Sequence, residues 1–306
     1  MTNNTRKTTN KLTLRPQRHE QIELFLADNV EISSIRDEVA SMEHPFFALK
    51  GGDVRDRVYK NGNVTVSVRS TSTGLATIFD KDIWLYSISK LQYAINNKEP
   101  ISRVIAFTPY DFFVTTNRDK GGRSYKELEK ALSRLKGTVI TTNIKHGKEK
   151  TEIVEFGLID SWRIIEEKKG FLDIGMVEIT LPNWLFDAIT NTNVLKVSLD
   201  YFRIRKAVDR RIYEIARKHC GEQYEFEISL EKLFLKTGST GTKEKFKFNL
   251  KLLAKEDSLP DYQILFDNKT NIVKFKNRNP DILKADKMLR FNKNRKNIKQ
   301  IKSLFD

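Results

Sequence analysis

The sequence predicts an α+β chain built from two tandem winged helix-turn-helix units, flanked by basic, flexible tails. Three observations predict it. The element order helix, strand, helix, helix, hairpin occurs twice along the chain. The 306 residues suffice for two cores, at roughly 150 residues per domain. In each repeat the second helix of the closely spaced pair sets a row of cations beside an apolar stripe. The implied division is a basic N-terminal tail with a short helix over 1–40, a first unit over 41–192, a second over 193–279 and a basic C-terminal tail over 280–306.

In the first unit, Trp84, Ile88, Leu91 and Ile95 recur at helical spacing within Ile78 to Asn97, and Pro100 follows as a stop. Ile101 to Phe107 is a short apolar run of strand type. Thr108 and Pro109 then supply an N-cap and a first-turn proline for a short helix to Thr116, before Gly121 and Gly122 break the chain. From Arg123 to Lys136, Leu128, Ala131, Leu132 and Leu135 share one face, with Arg123, Lys126, Lys130 and Arg134 grouped opposite. Two β-rich runs, Thr138 to Lys145 and Thr151 to Leu158, flank a polar tip that carries Lys148 and Lys150, and read as the wing.

After a further strand pair, about Ile159 to Glu166 and Phe171 to Thr180, and a short helix opening at Pro182, the order recurs. Leu199 to His219 reads as one helix, with Tyr201, Ile204, Val208, Ile212, Ile215 and His219 on its apolar face and Gly221 as its stop. Tyr224 to Ile228 is a strand, Ser229 opens a short helix to Lys236, and the turn Thr237 to Gly241 leads to Thr242, which caps a helix to about Lys255. The strands Tyr262 to Phe266 and Ile272 to Phe275 close the second wing, with Lys269 at its tip.

Charge bounds the function. With 55 Lys and Arg against 40 Asp and Glu, the net charge is +15, which calls for a polyanionic partner or a solvated surface. The excess is focused: residues 1–18 hold five cations and no acid, and residues 281–306 hold eight cations and three acids. The internal stretch 121–150 adds +5 and the segment 198–279 adds +6, and the remainder of the chain is net acidic. On the helix from Thr242, Phe246, Asn249, Leu250 and Leu253 form the buried stripe, while Lys243, Lys247 and Lys251 lie four apart on the neighbouring face; Lys245 joins them as a candidate contact. In a helix-turn-helix this helix enters the major groove, where lysines meet phosphates or guanine edges. Ser239, Thr240 and Thr242 stand at its N-terminus, where hydroxyls, amides and the helix dipole suit a phosphate. Simple capping explains Thr242 equally well. Arg203, Arg205, Lys206, Arg210 and Arg211 decorate the preceding helix and are expected to pair in part with Asp200, Asp209 and Glu214.

Enzyme chemistry is not expected. The histidines His19, His44, His146 and His219 are scattered singly, so the His-x-His metal pair of a DNA-nicking site cannot be built; His219 reads as a core residue. No G-x-x-x-x-G-K-[ST] phosphate loop occurs. Asp80 with Asp82, or Asp53 with Asp56, could in principle hold magnesium, but caps and surface pairs account for them better. Cys220 is the sole cysteine, which suits a reducing compartment and leaves no cysteine-based zinc site. With no secretory apolar segment at the N-terminus and no 18-residue apolar run, a cytoplasmic protein is expected, with no membrane association, no metal and no cofactor.

Three stretches, Glu43 to Lys50 (EHPFFALK), Ala76 to Leu91 (ATIFDKDIWLYSISKL) and Leu199 to Gly221 (LDYFRIRKAVDRRIYEIARKHCG), resemble the plasmid replication initiator protein A family. With their spacing they cover roughly residues 40–278. The resemblance implies a non-catalytic initiator that binds repeated sites in double-stranded DNA at a plasmid origin and helps open the duplex. It also implies recruitment of the host initiator and replicative helicase, and a homodimer in equilibrium with monomer that represses its own gene. A transcriptional repressor without a replication role, or less readily an origin-nicking enzyme, would be the alternatives.

Overall fold

The computed structural model describes residues 13–19, 35–71, 74–143, 153–169, 172–191, 193–286 and 288. In chain order the elements are β1 (Ile35–Glu38), α1 (Val39–Glu43), β2 (Arg57–Asn61), β3 (Val64–Ser70), α2 (Lys81–Asn96), β4 (Val104–Phe107), α3 (Pro109–Thr115), α4 (Gly122–Gly137), β5 (Thr138–Thr142) and β6 (Val154–Gly157). They continue with β7 (Ser161–Lys169), β8 (Leu172–Thr180), α5 (Asn183–Thr190), β9 (Val194–Val197), a 3-10 turn (Leu199–Arg203), α6 (Ala207–His219), β10 (Glu225–Ser229), α7 (Leu230–Thr237), α8 (Lys243–Glu256), β11 (Tyr262–Asp267) and β12 (Ile272–Asn277).

Local capping chemistry sets most helix starts. Thr108, Ser229 and Thr242 each accept a backbone N–H from three residues on, at the heads of α3, α7 and α8, and Pro109 fills the first position of α3. α2 begins three residues later than its periodicity suggests, because Thr77 and Asp80 bond each other's backbone N–H groups in a turn that precedes it. The long helix predicted over Leu199 to His219 is divided. Ser198 caps the 3-10 turn, and Ile204 to Lys206 is extended so that Arg205 donates its N–H to Thr13 and Arg210 Nε reaches the Ile204 carbonyl.

The sheets place the hairpin that the sequence suggests as the first wing elsewhere in the fold. β10, β12 and β11 form an antiparallel sheet in that order, so the strand between the first two helices pairs with the second strand of the closing hairpin. In the first half, β4 pairs with β8 and β8 with β7, giving the same arrangement β4-β8-β7. The β5–β6 hairpin, read from sequence as the wing, instead continues a second sheet, β2-β3-β5-β6. Alternation drives this. Thr138, Ile140 and Thr142 of β5 face inward, and Ile140 pairs with the buried Val68 of β3.

Two apolar clusters fill the interior. The first gathers Phe46, Phe47, Trp84, Ile88, Phe112, Leu132, Ile140 and Val177 among others; the second gathers Tyr201, Ile212, Tyr213, Phe246, Leu250, Val273 and Phe275. Their boundary is interleaved. Leu85 of α2 and Ile35 of β1 belong to the second cluster, while β9 pairs antiparallel with β1 from Ile35↔Val197 to Glu38↔Val194. Trp84 is fully buried, donates its indole N–H to the Leu158 carbonyl at 2.7 Å and meets Phe47 edge to face.

The N-terminal residues 13–19 do not form a free tail. Leu14 bridges Ile204, Arg15 donates its N–H to Arg203 at 2.7 Å, and Asn117 clasps the strap from both sides, accepting from Arg18 and donating to Pro16. At the other end, residues 280–286 are helical. The expectation of wholly flexible tails therefore fails for these stretches.

Gly238 ends α7 in the left-handed region at φ 66°. A Cβ there would stand 2.7 Å from Pro45 Cβ and 3.1 Å from the Tyr59 hydroxyl, both outside the second half of the chain. Gly238→Ala is expected to destabilise the protein by about 2–3 kcal/mol, from the strain of a Cβ in the left-handed region and overpacking together. Urea denaturation checks it; an unchanged midpoint would show that Pro45 yields freely.

Candidate nucleic-acid interface

α8 buries Phe246, Leu250 and Leu253 against the second cluster and leaves the rest of its surface open. The cations expected there separate into two groups. Lys243 pairs with Glu231 at 3.0 Å, Lys247 donates to Asn271 Oδ1 at 2.7 Å, and Lys247 and Lys251 lie over the Phe266 ring. This edge of the helix thus leans on α7 and the β11–β12 hairpin. The outermost face carries Glu244, Lys251, Lys255 and Phe248, with Lys245 and Leu252 beside them, all exposed. Sequence reasoning missed Phe248 and Lys255. Their signal lay in helix geometry, since a residue two places from the buried Phe246 points about 200° away from it.

At the head of α8, Thr242 is a cap: its hydroxyl accepts the Lys245 N–H, so the simple reading holds for it. Thr240 is exposed and Ser239 half-buried beside it. Lys269 is exposed at the hairpin tip, where its N–H closes a turn onto Asp267.

On α4, Leu128, Ala131, Leu132 and Leu135 are buried as expected, and Arg123, Lys126 and Lys130 are exposed; Lys130 lies 3.2 Å from Glu127. Arg134 departs from this stripe. Both its Nε and Nη2 donate to Asp80 at 2.8 Å, and that bidentate bond holds the guanidinium half-buried and raises its pKa. It ties α4 to the start of α2. Lys148 and Lys150 lie outside the described residues.

The remaining charges of the candidate motifs are structural. Asp80, Lys81 and Asp82, consecutive in sequence, each reach a different partner. Asp80 holds Arg134. Lys81 is buried between Asp37 at 2.7 Å and Glu214 at 3.0 Å, and Asp82 is shared by Arg210 and Arg118. Asp80 and Asp82 are therefore buried ion-pair partners, neither surface pairs nor a magnesium site. Arg211 bonds Glu214, the Ser41 carbonyl and the Lys236 carbonyl, and the Tyr201 hydroxyl donates to Glu214 at 2.7 Å. Burial alone would raise the Glu214 carboxyl, but Lys81 and Arg211 outweigh it and hold the pKa down. Of the cations around α6, Arg203 pairs with Asp200 at 2.6 Å as expected, whereas Arg210 reaches across to α2.

A second junction is centred on Glu43, which meets Lys218 at 2.7 Å, His219 at 2.9 Å and Lys236. Burial opposes ionisation there, yet the three partners keep the carboxyl well below its ordinary range. His219 is thus a half-buried junction residue, stacked on Phe226, rather than part of the core. Among the described residues no three His, Cys, Asp or Glu side chains are grouped to hold a metal, and no helix is long and apolar enough to cross a membrane.

Residues 36–264 match the family model described as replication initiator protein A. A provisionally named replication protein of Wigglesworthia glossinidia brevipalpis is 60% identical over 257 residues, which span 84% of this chain and 94% of the relative. Two crystal structures of domains 2 and 3 of RctB share the fold at 11% identity. Their TM-scores are 0.54 and 0.51; each covers 76% of this chain, and 95% and 94% of the RctB fragments respectively. The matched span contains α2, α6 and the buried charges between them, and on that match the chain belongs to the replication initiator protein A family.

Proposed function

We propose that this initiator binds repeated sites in double-stranded DNA at a plasmid origin through two winged-helix units, α2 to β8 and α6 to β12. The observation that carries the reading is α8. It is a capped helix with Lys245, Lys251 and Lys255 on its open face, set beside a three-stranded sheet whose order recurs in the first half as β4-β8-β7. In such a unit the helix enters the major groove and the hairpin grips the flanking phosphates. By this assignment the first wing is β7–β8, which carries Lys168 and Lys169 in sequence. α4 offers Arg123, Lys126 and Lys130 to a second groove segment. The protein acts by binding energy, bending or melting the duplex with no chemistry or cofactor of its own. Origin DNA, the host initiator and the replicative helicase are the partners of this reading, with a homodimer in equilibrium with monomer.

The test is a gel shift of the full chain on DNA flanking its gene, titrated with salt. Lys245 and Lys255 are the cleanest positions, because reversing Lys243, Lys247 or Lys251 would also break contacts with Glu231, Asn271 or the Phe266 ring. The Lys245→Glu, Lys255→Glu variant is expected to bind more weakly. Its slope of log affinity against log salt should fall by about 0.9 for each lysine that touches a phosphate. Unchanged affinity and slope would remove α8 from the interface.

A further inference from the structure

We infer that Phe248, with Leu252 one turn on, reads thymine methyl groups in the major groove, so that the target is rich in A·T pairs beneath the middle of α8. The inference rests on the DNA-binding reading above and names what its central residue recognises. Phe246 is 3% exposed and Phe248 61%, on opposite sides of one helix, and Leu252 at 37% extends the apolar surface along the same side as Phe248. A phenyl ring in that position adds nothing to the core. Its neighbours one turn away on the open face are Glu244, Lys245, Lys251 and Leu252, and Lys255 follows on the next turn.

That setting selects the occupant. The cations that frame the ring fit a polyanion, and they would hold phosphates on either side while the ring faces the base edges. Along the major-groove edge the C5-methyl of thymine is the apolar group, and a phenylalanine side chain is among its natural contacts. Leu252, four residues on, offers a second apolar contact along the groove. The lysines set affinity for any duplex, and the ring discriminates between sequences.

The experiment compares the full-length wild type with Phe248→Ala, each on one duplex from the DNA flanking the gene, amplified with either dTTP or dUTP. Deoxyuridine deletes the methyl group and keeps every hydrogen-bonding edge. The wild type is expected to bind the uridine duplex about fourfold more weakly per methyl contacted, the value of one buried methyl. Phe248→Ala should bind the thymine duplex more weakly and lose little further on uridine. Alanine is favourable in an exposed helix, so the fold should persist, and an unchanged urea midpoint checks that. An equal uridine penalty for both proteins would overturn the inference, as would full affinity of Phe248→Ala for thymine DNA, the outcome expected if the patch docks a protein. Failure of the wild type to bind either duplex would instead defeat the DNA-binding reading from which it follows.

Discussion

Lys81→Met is expected to destabilise the protein by about 3–5 kcal/mol, the cost of leaving a buried charge without its partner. Methionine retains the apolar stem, so the loss isolates the ammonium. Lys81 is 0% exposed and bridges Asp37 and Glu214, which come from β1 and α6. Glu214 keeps Arg211 and the Tyr201 hydroxyl when the lysine goes, whereas Asp37 loses its only ion-pair partner among the described residues. Burial already pushes Asp37 up to about 6, against the pull of Lys81, and the charge of Glu214 adds to that. Removing the lysine raises it further. A raised carboxyl contributes its stability at low pH and loses it as pH climbs through the folded value, so the variant should suffer more at pH 8 than at pH 5. Urea denaturation at both pH values measures this, and adding Asp37→Asn should recover part of the loss. A midpoint unmoved by Lys81→Met would mean that water reaches the site.

Asp209→Asn should have the opposite sign. Asp209 is 1% exposed in the first turn of α6, its Oδ2 has no hydrogen-bond partner, and the nearest cation, Lys206, is 4.0 Å away. Burial pushes its carboxyl from 3.8 up to about 7, with Lys206 pulling down and Glu256 adding to the rise. Because the folded value is the higher one, the stability this group contributes is complete below about pH 4 and lost as pH rises through 7. Asparagine does not titrate. Relative to wild type, the variant should therefore gain about 1.4 kcal/mol for each pH unit between about 4 and 7, then level off. Denaturation midpoints across that range check the slope; a pH-independent difference would show that Asp209 stays ionised in the native state.

What could be read from the sequence was local. Thr108 with Pro109, Ser229, Thr242 and Gly238 mark helix ends through bonds to residues a few places away, and each lies where its residue type demands. Strand partners are not local. β5 leaves α4 directly and reads as a wing, but Val66 and Val68 of β3 offer its inward face a place to bury, and nine-residue strands at β7 and β8 remain to pair with β4. The β2–β3 hairpin itself went unread, although its two-residue Gly62–Asn63 loop, with Gly62 at φ 60°, is a hairpin signal. Charged residues misled most. Arg134, Asp80, Lys81 and Asp82 look like the wet face of a helix, and partners as distant as Asp37, Arg210 and Glu214 become neighbours only once the chain has folded. Phe248 was legible in principle, from its angle to Phe246 alone.

The junction has a mechanical consequence. β1 is clamped to β9, the strap at residues 13–19 is held by both halves, and ion pairs buried from water cross between α2 and α6. Charges so deeply placed cannot slide by an ångström without losing their bonds, and salt does little to loosen them. The distance and angle from α4 to α8 are consequently built into the protein. Such a molecule is a ruler rather than two beads on a string; on the DNA-binding reading proposed above, it would reject a pair of sites set at the wrong interval even when each site alone is correct.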